Sequence, residues 1–476
     1  MTGLRRQALE GGAYVLVRQV AGSGLRFLGI LVLTRIIGPD DYGEYVGALA
    51  MAVVLNGLSN LGIDAFLIRQ EAEPAKEAED QAGTLLLLAG TATAAVAAAS
   101  LALLSGRLFD AAFTPPLLVL LVFLPVQSLR VPATARLERA FRYRSLTLIE
   151  LSADVGGYLL AIPLALAGAG TWAAVAGFLA GQVWFTVASL RVARFRPAWH
   201  WSRPLAADVL RYGFGYASSS WLLLLAGLVN PLVVGRYVGP SGVAYVALAT
   251  RLVDTLASVK RATMRLAMVA LAKVQRDLDR LRRAQAEGMV LQLLGVGPVL
   301  GVFSALAPWL VPAVFGPEWE PVVDLFPLIA LNVLVGTVFN LHNSALHVLR
   351  HNVAVVRMRV AQLGVLVVAS VVLVPSIGIT GYGVGEALRS VAFGLTHFEI
   401  RRIYRPDYRP ALPWLVAVVP PLFAAWCPLP WNLVLFLPAV VVLAVPGNRR
   451  TIRTYASFAL GSLRPGRTAP AAPTAS

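Results

Sequence analysis

Two arginines, Arg18 and Arg26, lie within the first hydrophobic segment, residues 12–37, which contains no acidic residue. An arginine near the centre of a bilayer costs roughly 2.5–3.5 kcal/mol on insertion scales. Eight residues of helix separate the two side chains by about 80° and about 12 Å, so both can line one cavity wall. Because a guanidinium stays charged and offers a planar fork of donors, the pair predicts an anion site. The alternative for each is snorkelling or pairing with a carboxylate of a neighbouring helix.

Polar residues in later segments offer counter-charges. Asn56, Asn60 and Asp64 follow one another at four-residue spacing, which predicts one polar stripe along a second helix. Asp64 has three interpretations: pairing with an arginine, binding a coupling cation, or a position at the cytoplasmic mouth. Asp154, in the fifth segment, is a candidate coupling carboxylate, and an interhelical hydrogen bond is its alternative.

Two further pairs have a spacing of three residues, which brings side chains together on a helix. Arg251 and Asp254 lie in the eighth segment, and Glu386 and Arg389 lie in the twelfth. We predict an internal salt bridge for the twelfth segment. Arg251 remains either a partner of Asp254 or a further anion ligand.

The composition places these residues in a membrane. Hydrophobic residues make up 57% of the 476 residues and charged residues 14%, with a mean hydropathy of +0.70, whereas soluble domains carry about 25% charged residues. Apolar runs of bilayer-spanning length predict an all-α integral membrane protein with about 14 transmembrane helices. These runs cover residues 12–37, 43–68, 83–104, 116–134, 147–167, 171–190, 211–233, 242–262, 286–313, 322–346, 353–375, 380–400, 411–427 and 430–446.

The net charge of +16 is concentrated in alternate connections, among them one with Arg130, Arg136 and Arg139. The opposite connections contain only Arg107 and Arg236 as basic residues. They comprise residues 38–42, 105–115, 168–170, 236–241, 315–321, 376–381 and 428–430. Because positive residues mark the cytoplasmic side, both termini are predicted to be cytoplasmic. The basic residues are then expected to contact anionic membrane lipids rather than nucleic acid.

The chain contains an internal repeat. Residues 31–50, LVLTRIIGPDDYGEYVGALA, and 232–249, LVVGRYVGPSGVAYVALA, share a Gly-Pro turn and an arginine, Arg35 matching Arg236. The offset equals six predicted spans, so both copies cross the membrane in the same direction. Chance is the alternative, since Gly-Pro turns between hydrophobic helices are common. The predicted parts are two parallel six-helix lobes in 1–202 and 203–403, two extra helices in 404–448 and a basic cytoplasmic tail in 449–476.

Residues 31–70 resemble the opening of polysaccharide flippases of the multidrug/oligosaccharidyl-lipid/polysaccharide exporter superfamily, whose first helices are joined by an Arg-x-x-Gly-Pro-x-x-Tyr-Gly turn. Residues 135–150, 171–181 and 314–331 fit the same pattern in order. The resemblance implies two lobes around a central cavity that opens alternately to either side of a bacterial plasma membrane. The implied substrate is an oligosaccharide unit linked through pyrophosphate to a polyprenyl lipid. A glycan polymerase and glycosyltransferases of the same pathway would be further partners.

The resemblance also bears on the site. Lipid II flippases, a related branch, use arginines on the first, second and eighth helices. Arg18, Arg26 and Arg251 match this set by helix, but no arginine lies midway along the second segment, which favours another lipid-linked glycan. Ser219 and Asn230 give the seventh segment a polar side that would meet sugar hydroxyls or pack against a neighbouring helix.

Three functional hypotheses follow. The first is a flippase for the lipid-linked oligosaccharide, without a cofactor, for which a Na+ gradient, an H+ gradient and the membrane potential remain open as energy sources. The second is a cation-coupled exporter of drugs or small organic molecules, which cavity arginines oppose. The third is a membrane enzyme acting on lipid-linked sugars, which the short outer connections and the lack of catalytic motifs oppose.

Overall fold

The computed structural model describes residues 2–69, 76–258, 271, 277–450 and 452–453, which fold into helices joined by turns. Its side chains are described except those of residues 2–23, 25, 69, 102, 214–220, 222 and 223. The chain divides into two compact units. One consists of Met1–Ala249, Val311–Leu325 and Leu363–Gly385, and the other of Thr250–Leu310, Phe326–Gln362 and Glu386–Ser476.

The described α-helices, in chain order, are α1 (Thr2–Ser59), α2 (Ile63–Arg69), α3 (Lys76–Leu104), α4 (Thr114–Leu120), α5 (Phe123–Arg139), α6 (Tyr143–Leu166), α7 (Thr171–Val192), α8 (Arg203–Ala226), α9 (Gly235–Tyr237), α10 (Pro240–Leu256), α11 (Leu278–Phe315), α12 (Pro321–Val348), α13 (Asn352–Ile377), α14 (Ile379–Leu388), α15 (Phe393–Ile403), α16 (Leu412–Val418), α17 (Trp431–Val434) and α18 (Leu437–Ala444). Short 3-10 turns occupy Ala111–Phe113, Pro317–Trp319, Arg389–Ala392 and Pro420–Trp426. A π-helical turn occupies Asn230–Val234.

Seven helical stretches within the described residues are long and apolar enough to cross a membrane. They are Lys76–Leu101, Ala111–Arg139, Tyr143–Leu166, Thr171–Val192, Leu278–Phe315, Pro317–Val348 and Asn352–Ile377, and shorter apolar helices cover Leu224–Tyr237, Leu412–Trp426 and Trp431–Ala444. A helix satisfies its own backbone hydrogen bonds, which a bilayer cannot do. The predicted all-α membrane fold is confirmed. The structure corrects the assignment of three arginines to a basic connection: they lie within α5, and they are Arg130, Arg136 and Arg139.

The second predicted span, 43–68, is not one continuous helix. α1 ends before residue 60, and Leu61 and Gly62 take positive φ values of 50° and 72° before α2 begins. Left-handed residues cannot continue a right-handed helix, so the chain changes direction there. The polar stripe predicted for Asn56, Asn60 and Asp64 is therefore wrong, because Asp64 belongs to the first turn of the separate helix α2.

The two copies of the repeat share one local structure. Gly38 bends α1 with a φ of 76°, and Gly239 precedes α10 with a φ of 96°. Glycine adopts this conformation without a Cβ penalty. Each glycine is followed by a proline, Pro39 or Pro240, whose fixed φ suits the start of a helix.

Helices α1, α6 and α7 pack closely through small residues. A Cβ on Gly157 of α6 would lie 2.8 Å from the carbonyl oxygen of Gly177 on α7, so the two backbones are in contact there. Leu33 of α1 packs in the same cluster as Ala161 of α6. This packing sets the position of α6 beside α1.

The segment between α7 and α8 is fastened to α3. Side chains of Asp80, Gln81 and Thr84 accept hydrogen bonds from the backbone N–H groups of residues 198, 202 and 200 at 3.3, 2.6 and 3.2 Å. The three acceptors are buried. The segment therefore follows a defined path across the start of α3.

The second unit contains its own polar core. Arg389 Nη1 lies 2.8 Å from Glu386 Oε1, which confirms the salt bridge predicted for this pair. The hydroxyl of Tyr408 is 2.9 Å from Nε2 of the fully buried His342, and burial raises the pKa of that hydroxyl. The contact between Tyr408 and His342 joins α12 to the connection after α15.

Candidate functional site

Arg26 lies within a cluster of charged side chains formed by α1 and α6. Its Nε is 2.7 Å from Asp154 Oδ2, and its Nη2 is 2.5 Å from Glu150 Oε1. The hydroxyl of Tyr158 donates to the Arg26 carbonyl at 3.2 Å. For Arg26, the structure shows pairing with carboxylates of a neighbouring helix, which is the alternative given above.

The spacing of residues along α6 explains this cluster. Glu150, Asp154 and Tyr158 are four residues apart in turn, so they lie on one side of the helix. Leu33 and Ala161, which pack together, follow Arg26 and Asp154 by the same seven residues. The alignment of α1 with α6 that brings Leu33 to Ala161 therefore also brings Arg26 to Asp154. The helices run parallel at this contact.

The cluster remains accessible. Side-chain exposure is 35% for Arg26, 39% for Glu150 and 28% for Asp154. Carboxylates that are partly exposed can be replaced by another anion without burying an unpaired charge, which would be far more costly. A guanidinium in this setting can exchange one anionic partner for another.

A second arginine borders the same cluster from α5. Arg130 donates to Gln182 Oε1 at 2.8 Å, and its guanidinium lies 4.0 Å from the centre of the Phe185 ring. Glu150 is close enough to act on Arg130 electrostatically. Arg26, Arg130, Glu150 and Asp154 together carry two positive and two negative formal charges.

The other polar residues predicted on the first unit are distributed more widely. Asn56 and Asn60 flank the end of α1 and are half-buried. Asn230 donates from Nδ2 to the Val243 carbonyl at 3.1 Å, which ties the π-helical turn to α10. The side chains of Arg18 and Ser219 lie outside the described residues.

Arg251 and Asp254 are both exposed on α10. The carbonyl of Arg251 accepts a hydrogen bond from Thr255 Oγ1 at 2.7 Å. Within the described part of the chain, no salt bridge joins Arg251 to Asp254. The role of Arg251 as an anion ligand stays a prediction.

Glu150 and Arg130 are members of the cluster that sequence reasoning did not single out. Glu150 has a sequence signal, because it precedes Asp154 by one helical turn within an apolar segment. Arg130 was assigned to a connection because further arginines follow it in the sequence, although it lies within α5.

A helical membrane fold with an ionisable cluster inside it is typical of transport proteins. The family described as "Polysaccharide biosynthesis protein" matches residues 32–324. The chain belongs to this family. With the relatives described next, this confirms the resemblance to polysaccharide flippases, which are transporters and not enzymes.

Two relatives have similar sequences. The lipopolysaccharide biosynthesis protein WzxC of Escherichia coli (strain K12) is 25% identical over 350 residues, 71% of this chain and 69% of that protein. The succinoglycan biosynthesis transport protein ExoT of Rhizobium meliloti (strain 1021) is 25% identical over 314 residues, 65% of this chain and 63% of that protein.

Two solved structures share the fold. One is the lipid II flippase MurJ in an inward closed conformation, with a TM-score of 0.71 and 11% identity over 93% of this chain and 100% of that chain. The other is an inward-facing multidrug resistance MATE family transporter, with a TM-score of 0.60 and 15% identity over 82% of this chain and 98% of that chain.

Proposed function

We propose that the chain moves a polyprenyl-pyrophosphate-linked oligosaccharide from the cytoplasmic to the outer leaflet of a bacterial plasma membrane by alternating access. Family membership and the names of WzxC and ExoT support a role in making a cell-surface polysaccharide. The basic connections support cytoplasmic termini. The observation that carries the proposal is the partly exposed Arg26 held by two carboxylates.

Arg26 would bind the pyrophosphate by exchanging partners. A phosphate oxygen is an anionic acceptor like a carboxylate oxygen, and it matches the guanidinium fork. In the absence of substrate, Glu150 and Asp154 neutralise Arg26 and keep its two donors pointed towards α6. The incoming pyrophosphate takes these donors, and Arg130 adds a second positive charge nearby.

The same exchange couples binding of the substrate to binding of a cation. A pyrophosphate diester carries about two negative charges, so its binding leaves the cluster with an excess of negative charge at Glu150 and Asp154. Uptake of H+ or Na+ by these carboxylates restores the balance. Release of the substrate on the other side then returns Arg26 to the carboxylates and expels the cation.

The remaining predicted residues belong to the same proposal, within two parallel six-helix lobes at 1–202 and 203–403. Arg18 and Arg251 supply further positive charge to the pyrophosphate, and Asp64 and Asp254 serve as counter-charges. The residues that would contact the sugar are Asn56, Asn60, Ser219 and Asn230.

The test is a flipping assay in proteoliposomes with a fluorescent polyprenyl-pyrophosphate-linked oligosaccharide. We expect Arg26→Ala to lower the initial rate by about tenfold or more, because a hydrogen bond to a charged group contributes about 1.5–3 kcal/mol. Arg26→Lys should retain part of the rate, since it keeps the charge but loses the fork.

Arg107→Ala is the matched control, because it removes one exposed arginine from an outer connection. It should flip at the wild-type rate. A normal rate in a folded Arg26→Ala protein would contradict the anion exchange. Equal rates for pyrophosphate-linked and monophosphate-linked glycans would contradict the selection of pyrophosphate.

The second candidate function is export of a cationic molecule, which the acidic pair Glu150 and Asp154 favours. This hypothesis predicts that the double change Glu150→Gln and Asp154→Asn abolishes transport of a cationic dye, while Arg26→Ala leaves it intact. Dye transport in the same proteoliposomes separates the two functions.

A further inference from the structure

Arg35 and Arg236 occupy equivalent places in the repeat, each three residues before the glycine of its turn. In the structure, both side chains reach the end of a helix distant in sequence. Arg35 Nη1 donates to the carbonyls of Ala313 and Val314 at 2.7 and 2.8 Å. Arg236 Nη1 donates to the carbonyl of Gly106 at 2.5 Å.

The acceptor carbonyls lie in the last turn of one helix and just beyond the end of another. Ala313 and Val314 are in the last turn of α11, and Gly106 follows the end of α3. Positive charge is favoured at this end of a helix, because unpaired carbonyls give it a partial negative charge. The two arginines therefore occupy equivalent positions in the repeat and make similar contacts.

An aromatic side chain follows each of these helix ends. Phe113 ends the 3-10 turn Ala111–Phe113 and Trp319 ends the turn Pro317–Trp319, and both are fully buried. The centre of the Trp319 ring system lies 5.9 Å from the ring centres of both Tyr42 and Tyr245.

Phe113 lies in the same way between the two copies of the repeat. A Cβ on Gly47 would be 2.7 Å from the Phe113 ring, and a Cβ on Gly235 would be 2.5 Å from it. Each aromatic therefore contacts both copies of the repeat, and Phe113 packs against a glycine in each copy.

The two turns also touch directly. A Cβ on Gly43 would lie 1.9 Å from the carbonyl oxygen of Pro240, so the backbones meet at this point. The four connections involved, 38–42, 105–115, 236–241 and 315–321, are four of those that carry almost no basic residues. Their contact in one unit agrees with a common side of the membrane.

We propose that Arg35 and Arg236, with the carbonyls of Ala313, Val314 and Gly106, form a duplicated clasp that closes the transport path on its outer side. Both arginines must release their carbonyls before the path opens outwards. The proposal rests on the proposed function, because the outer side is the side on which the substrate would be released. The connections with almost no basic residues identify that side.

The chemistry of the duplicated clasp suits reversible opening. Arg35 and Arg236 are exposed, so water can replace each carbonyl when the contact opens. The acceptors are neutral, so opening the contact leaves no unpaired negative charge behind, unlike opening of the Arg26 cluster. Release is instead governed by the separation of the turns.

The test is hydrogen–deuterium exchange of the full chain in lipid nanodiscs, followed in segments 106–113 and 311–325. We expect Arg35→Gln and Arg236→Gln each to speed exchange about threefold in its own acceptor segment, as exposed charged contacts are weak. The double variant should speed exchange about tenfold in both segments if the contributions combine. Arg35→Lys should restore part of the protection.

Arg142→Gln is the matched control, because Arg142 donates to the carbonyl of Val192 at the end of α7 at 3.2 Å. It should leave both segments unchanged. Unchanged exchange in both glutamine variants, or equal acceleration by Arg142→Gln, would overturn the duplicated clasp.

Flipping of the lipid-linked oligosaccharide supplies the second measurement. We expect the double variant to change the initial rate by threefold or more, since the equilibrium between the inward-open and outward-open conformations would change. Faster exchange with an unaltered flipping rate would overturn the proposal, because the contact would lie off the transport path. A wild-type protein that flips no lipid-linked glycan would contradict the proposed function, while the exchange data would still test the clasp.

Discussion

Arg26 and Arg35 lie on the same helix, nine residues apart, yet their partners differ in kind. Arg26 is held by the carboxylates of Glu150 and Asp154, and Arg35 by two backbone carbonyls of α11. A carboxylate can be replaced by a phosphate and can take up a cation when freed. A backbone carbonyl carries no formal charge, so its release leaves no charge that must be compensated. The kind of partner therefore distinguishes the proposed anion site at Arg26 from the proposed clasp at Arg35.

The largest effect should come from breaking the contact between the turns while leaving the Arg26 cluster unchanged. In Gly43→Leu, the new side chain meets the backbone of Pro240, which cannot rotate away. We expect loss of folded protein and of surface polysaccharide in a dependent strain, measured by size-exclusion chromatography and polysaccharide staining. Gly156→Leu is the control, since no atom lies within 4 Å of its Cβ position. Normal yield and export of Gly43→Leu would show that the turns need not touch.

An intermediate effect should come from removing the negative charges of the Arg26 cluster. The double change Glu150→Gln and Asp154→Asn leaves Arg26 without competing carboxylates. We expect the Kd for polyprenyl pyrophosphate to fall about three- to tenfold, as partly exposed ion pairs contribute about 0.2–1 kcal/mol each. Isothermal titration in detergent measures this affinity.

Glu399→Gln is the control for this charge removal, because Glu399 pairs with Arg357 and Arg402 in the other unit. It should leave the Kd unchanged. Weaker binding in the double variant would mean that the carboxylates hold the ligand through a bound cation and do not compete with it.

The smallest effect should come from Tyr158→Phe, which removes the hydrogen bond to the Arg26 carbonyl but no charge. We expect a loss of about 1 kcal/mol in the free energy of unfolding and no change in affinity for pyrophosphate. Thermal unfolding in detergent and titration measure the two quantities. Tyr237→Phe, at a residue that is 55% exposed, is the control. A changed affinity in Tyr158→Phe would place Tyr158 in the anion site.

The features that could be predicted from the sequence are local or compositional. Apolar run lengths predicted the all-α membrane fold, because a bilayer imposes the same requirement on every span. The salt bridge between Glu386 and Arg389 followed from a spacing of three residues on one helix. The turn at Gly38 was predicted from its Gly-Pro pair and from the matching Gly-Pro pair at Gly239.

The features that could not be predicted depend on distant residues or on single backbone angles. Arg26 meets Glu150 and Asp154 across 124 and 128 residues of chain, and no local pattern determines which helix lies beside α1. The end of α1 depends on a positive φ at Leu61, a residue type that rarely adopts it. The apolar run continues through this break, which explains why the second span was predicted as one helix.

The fastening of the segment between α7 and α8 has a consequence for biosynthesis. Its three hydrogen bonds join residues 198, 200 and 202 to side chains made 118, 116 and 121 residues earlier. All the groups involved have been synthesised once the ribosome passes residue 202. These hydrogen bonds can thus form while the second half of the protein is still being translated.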